Sequence, residues 1–179
     1  MYTDDKTEND VVYGFVLRSV MAHATFKIRD TSAALEMAGV HLILTAEDIS
    51  DLNGIPCLAL ATQPDGTKCT PRDIPVLCSD TVRHVGDAIC FVVADSIAIA
   101  RDAAELIDVD FEILPAVTDT VSALEQGVPA VYETGNVAFE HFVGDQQAVD
   151  NTFAGAARIS EVKLINQRLV CNYMEQIGR

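Results

Sequence analysis

The chain has 179 residues, 49% of them hydrophobic and 22% charged, which is the balance of a globular protein with a core. Its 27 acidic residues outnumber 12 basic ones, and the net charge of −15 excludes nucleic acid as the main partner and disfavours an anionic membrane surface, because both bind clustered Lys and Arg. The longest apolar runs, such as Ala88–Ala94, fall far short of the roughly 20 residues that a spanning helix needs, so no membrane insertion is expected.

The amino terminus and the cysteines indicate a reducing compartment. The first ten residues, MYTDDKTEND, lack the basic and then apolar pattern of an export signal. The cysteines are odd in number and irregularly spaced: Cys57, Cys69, Cys78, Cys90 and Cys171. We therefore predict a cytoplasmic protein with reduced thiols.

The first part of the chain predicts two strands and a short helix. Residues 11–18 (VVYGFVLR) have the β-branched and aromatic content of a strand. Residues 24–29 alternate, so that Phe26 and Ile28 share one face. The Thr-Ser pair at 31–32 can cap a short helix, AALEM, that ends near the next glycine.

A third strand and a long connection follow. Val40–Leu44 has strand character, and residues 45–48 (TAED) have the spacing of a capping box that opens another helical turn. Residues 51–75 contain four prolines, two glycines and several Asp and Thr residues, which predicts a long surface loop. A loop of this size in a compact domain is functional, forms contacts or is mobile.

The clearest unit is a strand, a helix and a strand. Ala88–Ala94 is a nearly continuous apolar run, typical of a strand covered on both faces. Asp95 and Ser96 supply capping oxygens for a helix over residues 97–107, and residues 108–114 alternate as a strand, which predicts a right-handed crossover. The residues expected to face the core are Ile97, Ala100, Ala104, Ile107, Val109, Phe111 and Ile113.

After Leu124 the pattern weakens. Glycines and polar residues up to about Asn151 predict a linker, and residues 153–157 suit a short helical turn. Ile159–Leu169 alternates as a strand for which the preceding elements offer no partner. Because unpaired apolar strand edges associate, we expect self-association through Ile159–Leu169.

Phosphate and metal sites find little support in the sequence. Residues 85–87 (VGD) form the tightest strand-to-helix glycine turn, but no Lys or further glycine follows, so a phosphate loop is absent. No Cys or His pair has the short spacing of metal ligands, and the histidines are scattered at His23, His41, His84 and His141.

Nucleophilic and acid–base sites are also weakly indicated. Cys69 and Cys78 lie near Lys68 and Arg83, which could lower a thiol pKa, but proximity in sequence is weak evidence and solvated loop side chains are the simpler interpretation. An alternating acidic run suits a solvated strand face better than acid–base catalysis: Asp108, Asp110 and Glu112. We assign no catalytic, cofactor-binding or metal-binding residue to this chain.

Several ordered motifs resemble the molybdenum hydroxylase large subunit. Residues 16–24 (VLRSVMAHA) are similar to F-V-R-S-P-x-A-H-A, and residues 38–49 to P-G-V-x-x-V-L-T-x-x-D-I. Residues 80–117 are similar to D-x-V-R-x-V-G-E-P-V-A followed by D-A-A-E-x-V-x-V-D-Y-E-x-L-P-A-V. Shorter matches lie at residues 2–5, 166–168 and 174–175. The sequence departs from the pattern at 20–21, at 87–88 and after Glu175.

This family includes xanthine dehydrogenase, aldehyde oxidase and carbon monoxide dehydrogenase, and the large chain of the last type fits best. The resemblance implies an α/β (α+β) fold of the α/β-hammerhead type, with a mixed sheet, short helices and one strand–helix–strand unit. It implies a hammerhead domain over residues 1–125, and over residues 126–179 a linker and the truncated start of the molybdenum-cofactor-binding domain.

The resemblance also implies a function for the parent subunit. That subunit would oxidise carbon monoxide, an aldehyde or an N-heterocycle with oxygen from water, using molybdopterin and molybdenum. Its partners would be iron–sulfur and flavin (FAD) subunits. The family's cofactor-binding motifs match nothing in residues 1–179, so this chain would bind no cofactor itself and would act as an inactive scaffold and subunit contact, with residues 51–75 as the candidate contact surface.

Two alternatives remain open from the sequence. The chain could be a stand-alone hammerhead module for binding or assembly without molybdenum. It could also be an unrelated enzyme that uses Cys69 or Cys78. The substrate and the electron acceptor are not indicated by the sequence.

Overall fold

Two three-stranded antiparallel sheets and short helices form the fold of this computed structural model, which describes residues 10–52, 54–58, 60–69, 72 and 74–164. The strand orders are β1-β5-β3 and β4-β2-β6. The elements are β1 (Tyr13–Arg18), β2 (Ala24–Asp30), α1 (Ser32–Leu35), β3 (Val40–Leu44), β4 (Thr81–Val82), β5 (Ala88–Ala94), α2 (Ile97–Glu105), β6 (Asp108–Ile113), a 3₁₀ turn (Ser122–Leu124) and α3 (Gln146–Ala154). The predicted fold class is confirmed, with every strand pair in these residues antiparallel.

The first sheet is built on β5, the apolar run recognised in the sequence. β1 and β3 pair with its two edges, and Cys90 and Val92 on β5 are fully buried. Helix α2 covers the face of the sheet that carries Cys90 and Val92. It does so through its small side chains Ala100, Ala103 and Ala104, which are also buried. The predicted cover on both faces is met only in part, because Phe91 and Val93 on the opposite face of β5 are only partly buried.

The second sheet is built on β2. Phe26 on β2 lies opposite Phe111 on β6 with ring centroids 6.1 Å apart, and Ile28 lies opposite Val109, so the predicted alternation is confirmed. The expectations for Ile97 and Ile113 are wrong: the residues are 38% and 72% exposed, the first at the start of α2 and the second at the end of β6. A residue on the inward-facing side of an alternating strand is buried only where other side chains pack against it, and at the end of this strand they do not.

The predicted right-handed crossover is also wrong. β5 lies in the first sheet, whereas β6 pairs with β2 in the second. Helix α2 therefore connects two sheets instead of two parallel strands of one, and the handedness rule applies only to strands of the same sheet. The apolar pattern defines both strands without defining their partners.

Two short elements differ in detail from the predictions, and a third agrees. The N-cap residue of α1, Thr31, makes no side-chain cap; instead the Asp30 carboxylate accepts from the backbone N–H of Ser32. Residues 45–48 form a turn, in which Asp48 accepts from the N–H of Thr45. For α2 the cap is as predicted, since the Ser96 hydroxyl accepts from the N–H of Ile99.

The region predicted as a linker contains a helix. α3 begins after Asp145, which caps it by accepting from Ala148 N–H, and Gln146 and Gln147 donate to side chains four residues on. The predicted strand at Ile159–Leu169 is not formed over residues 159–164, and its remaining residues lie outside the described ones. The motifs at residues 2–5, 166–168 and 174–175, and Cys171, also lie outside them.

Candidate functional site

One face of the first sheet is not covered by any helix of the described residues. Leu44, Phe91 and Val16 are cross-strand neighbours and point away from α2. The Phe91 ring lies over Gly14 so closely that a Cβ atom there would be 2.3 Å from its Cζ. The Phe91 ring fits on this face because the residue beside it on β1, Gly14, has no side chain.

The long loop forms the wall of a cavity above this face. Ile55 and Ile74 exchange two backbone hydrogen bonds of 2.7 and 3.0 Å, which close the loop at its base. A cavity of about 560 Å³ lies between loop and sheet, in the size range of ligand pockets. We call it the sheet–loop groove, lined by Val16, Leu44 and Phe91 on the sheet, by Ile49, Leu52, Ile55 and residues 74–77 on the loop side, and by Arg18, His84 and residues 86–88 at its mouth.

The mouth of the sheet–loop groove is a turn held by Asp87. Its Oδ2 accepts from the backbone N–H groups of Arg83 (2.6 Å) and His84 (3.1 Å), and Oδ1 is 2.8 Å from His84 Nδ1. The Asp87 side chain is only 12% exposed, so its carboxylate interacts with groups of the turn more than with solvent. Arg18, which is exposed, donates to Gly86 O at 2.8 Å and supplies the cation at the mouth.

The candidate cysteine nucleophiles lie in unfavourable surroundings. Cys78 and Cys90 are buried, and burial raises the pKa of each thiol to about 11. Arg83 acts to lower the pKa of Cys78, as the sequence suggested, but desolvation and the charge of Asp87 outweigh it. The Lys68 Nζ donates a hydrogen bond to Thr62 Oγ1. Cys69 is buried.

Histidines and carboxylates also take structural roles. His23 is buried and its Nδ1 donates to Pro115 O at 2.8 Å, which joins the start of β2 to the end of β6. His41 pairs with Asp95 at 2.6 Å on the surface. The acidic residues of β6 are exposed, and Asp110 pairs with Arg29, which raises the pKa of the guanidinium.

The segment after the predicted domain is held by two arginines, a feature that the sequence reading missed. The guanidinium carbons of Arg72 and Arg83 lie 4.1 and 4.9 Å from the ring centroid of Tyr132. Arg72 also donates to Thr134 Oγ1 at 2.7 Å, and Arg83 to a backbone carbonyl at 3.3 Å. We call Arg72, Arg83 and Tyr132 the arginine clamp.

A second contact continues this attachment. His141 Nδ1 donates to the backbone carbonyl of Thr62 at 2.9 Å, which joins residues after the arginine clamp to the outer part of the long loop. Part of the predicted contact loop therefore contacts the chain's own later segment. The lone tyrosine in a polar stretch was the available sequence signal, but it carries no information on its two distant arginine partners.

Comparison with known proteins places this chain in a family. The family model for the aldehyde oxidase and xanthine dehydrogenase a/b hammerhead domain matches residues 1–115. The chain belongs to this hammerhead family. Its match ends ten residues before the boundary expected at residue 125, so that boundary remains a prediction.

Relatives of this hammerhead chain are subunits of oxidoreductases. It is 34% identical to the carbon monoxide dehydrogenase large chain of Afipia carboxidovorans over 89% of its own length and 20% of the relative's. It is 36% identical to the nicotine 6-hydroxylase large subunit of Paenarthrobacter nicotinovorans, covering 99% of this chain and 21% of that one. The chain thus spans about a fifth of the curated relatives it matches.

Solved structures agree with the hammerhead assignment. A Cu,Mo-CO dehydrogenase matches 88% of this chain and 20% of its own, with a TM-score of 0.68 and 33% identity. Quinoline 2-oxidoreductase from Pseudomonas putida 86 matches 76% of this chain and 17% of its own, with the same TM-score and 34% identity. These similarities extend beyond residue 115, so they include part of the segment after the family match.

A metal ion ligated by side chains finds no support in the described residues. They include no group of three or more His, Cys, Asp or Glu side chains placed to hold a metal ion. The buried thiols favour their protonated form, whereas a metal-ligating cysteine is a thiolate. In the same part of the chain, no helix has the length and apolar character needed to cross a membrane.

Proposed function

We propose that this chain is the amino-terminal segment of a molybdenum hydroxylase large subunit and acts there as scaffold and subunit contact. The observation that carries the proposal is the 34–36% identity over nearly the whole chain to two large subunits of which it spans only a fifth. The parent subunit would oxidise its substrate with oxygen from water, and the molybdenum cofactor would supply the redox chemistry from outside the described residues.

The scaffold role is supported by where the titratable groups are. The histidine and carboxylates at the sheet ends hold strands and turns together, and the buried thiols are poor nucleophiles because their pKa is high. The arginine clamp fixes the chain that leaves the hammerhead domain. No step of the oxidation is derived from these residues.

The names of the relatives do not select one substrate. They include carbon monoxide dehydrogenase, nicotine 6-hydroxylase and aldehyde oxidoreductase, at 34–38% identity. The subunit names of the first two support partner subunits for the parent protein, and we propose iron–sulfur and flavin subunits for that role.

The test is purification of the intact protein from its source through an affinity tag on its amino terminus. We expect a polypeptide about five times the length of this chain, since the chain covers 20% of a relative, together with molybdenum, iron and flavin in the purified complex. Metal content is measured by mass spectrometry and flavin by absorbance. A 19.3 kDa polypeptide without molybdenum would refute the proposal and favour a stand-alone hammerhead module.

A further inference from the structure

We propose that residues 131–141 form a strap that closes over the outer part of the long loop, residues 60–69, and that release of this strap exposes the buried thiol of Cys69. The strap and the outer loop open and close as one unit, while both sheets stay folded. The strap operates in a stand-alone hammerhead module as it does in a subunit, so its test is independent of the proposed function.

Cys69 is buried in a part of the chain that is otherwise exposed. Its exposed fraction is 7%, whereas every other described residue of 51–75 is half-buried or exposed. Cys69 also lies outside the hydrophobic core that the two sheets and α2 form among the described residues. Its burial therefore points to a cover other than this core.

The outer loop pairs with itself beside this thiol. The Cys69 N–H donates to Ala61 O at 2.9 Å, and the Gln63 N–H donates to Thr67 O at 2.8 Å. The described side chains between these pairs are half-buried or exposed. An isolated two-stranded pairing is only marginally stable in water, so the outer loop needs a contact with another segment to stay ordered.

The strap contacts the long loop on both sides of Cys69. His141 Nδ1 donates to the carbonyl of Thr62 at 2.9 Å, next to the residue that pairs with Cys69. Three residues after Cys69, the Arg72 guanidinium carbon lies 4.1 Å from the ring centroid of Tyr132. Because the two contacts flank the thiol, residues 131–141 are placed to cover it.

The strap is anchored to the folded domain and has bonds of its own. Arg83 Nε donates to Val131 O at 3.3 Å, and the Val131 N–H donates to Asn136 Oδ1 at 2.8 Å. Asn136 Nδ2 donates to the carbonyls of Ala123 and Pro129, each at 3.0 Å. A segment bonded internally in this way moves as a unit, so loss of either contact with the loop shifts the same opening equilibrium.

Alkylation of Cys69 in the intact protein, purified from its source, measures this opening. N-ethylmaleimide is added at low concentration, and digestion with mass spectrometry gives the rate at each cysteine. His141→Ala removes one hydrogen bond and should raise the Cys69 rate about threefold. Tyr132→Leu removes the ring from the arginine clamp and should raise it about fivefold or more. The double variant should approach the product, roughly 15-fold, because both contacts close one strap.

Matched changes elsewhere provide the controls. His41→Ala removes an exposed histidine that pairs with Asp95, and Phe153→Leu removes an exposed aromatic ring on α3. Both should leave the Cys69 rate within about twofold of wild type, as surface substitutions do. Cys90 is buried on β5 and reports unfolding of the sheets, so its rate should stay at the wild-type value in every variant.

Three outcomes would overturn the proposal. Equal Cys69 rates in wild type and both strap variants would show that another part of the protein covers this thiol. A rise at Cys90 as large as that at Cys69 would show that the whole domain opens. A double variant no faster than Tyr132→Leu alone would show that the His141 and Tyr132 contacts do not close a single strap.

Discussion

Replacing Tyr132 tests whether the arginine clamp holds the segment that leaves the hammerhead domain. Arg72 and Arg83 lie 4.1 and 4.9 Å from its ring centroid, inside the roughly 6 Å range of a cation–π contact. Each contact contributes about 0.5–1 kcal/mol when partly exposed, and the ring is 38% exposed. Tyr132→Leu should therefore reduce the free energy of local opening by about 1–2 kcal/mol, whereas Tyr132→Phe keeps the ring and should change it far less.

Amide hydrogen exchange measures this opening directly. The Val131 N–H donates to Asn136 Oδ1 and the Gly135 N–H to Tyr132 O, so both amides report on the clamped segment. A loss of about 1–2 kcal/mol should speed their exchange by a factor of roughly 5–30 in Tyr132→Leu. The amides of Cys90 and Val92 on the central strand should be unchanged and serve as internal controls.

The reasoning would be refuted by equal exchange in Tyr132→Leu and wild type. The hydrogen bonds of Arg72 to Thr134, and of the Asn136 side chain to neighbouring carbonyls, would then account for the attachment without the ring. Faster exchange in Tyr132→Phe as well as Tyr132→Leu would show that the hydroxyl, rather than the ring face, holds the segment.

Two other perturbations test the packing of the first sheet. Gly14→Ala places a Cβ 2.3 Å from Phe91 Cζ and should reduce the free energy of unfolding by about 1–3 kcal/mol in urea, with Phe91→Leu restoring part of the loss; an unchanged urea midpoint would contradict the close approach. Burial raises the pKa of the Cys78 and Cys90 thiols from 9.0 to about 11, so their stabilising contribution is complete below pH 9 and is lost as pH rises towards 11. Cys90→Ala should make the decline in unfolding free energy between pH 9 and 11 less steep, by up to the slope that corresponds to about one proton per molecule. An identical pH slope would show that this thiol titrates normally.

The strongest local patterns determined the elements that the sequence predicts well. Ala88–Ala94 is a strand with the predicted bounds, and α2 begins after Ser96 as its cap predicts. Both signals are contained in a few adjacent residues. For β5 the signal is a run of apolar residues, and for α2 it is a hydroxyl residue before apolar residues at helical spacing. The same holds for the alternation of β2, where Phe26 and Ile28 face β6.

Features that depend on distant partners were not predictable in this way. The pairing of β6 with β2 instead of β5 depends on where α2 directs the chain, which no periodicity records. Glycines and polar residues predict a linker where α3 forms, and none of the residues of α3 is buried. The local signals for this helix are the Asp145 cap and two side-chain pairs.

The sheet–loop groove could be predicted from the sequence only in part. The described residues within 51–75 form the irregular loop that the sequence predicts. Their apolar side chains form a groove only because they lie beside a face of the first sheet that no described helix covers. Val16, Leu44 and Phe91 are ordinary strand residues in the sequence, and only the register of β1, β3 and β5 shows that they share the face away from α2.

The order of the strands also constrains synthesis of the chain. Tyr13 on β1 pairs with Ala94 on β5, and Ala24 on β2 pairs with Ile113 on β6, so each sheet joins residues about 80–90 positions apart. Pairings of such long range form slowly and cannot begin until the second strand has left the ribosome. The two earliest apolar strands therefore wait with open edges while most of the domain is translated, and that interval is when the nascent chain is most exposed to aggregation or chaperone capture.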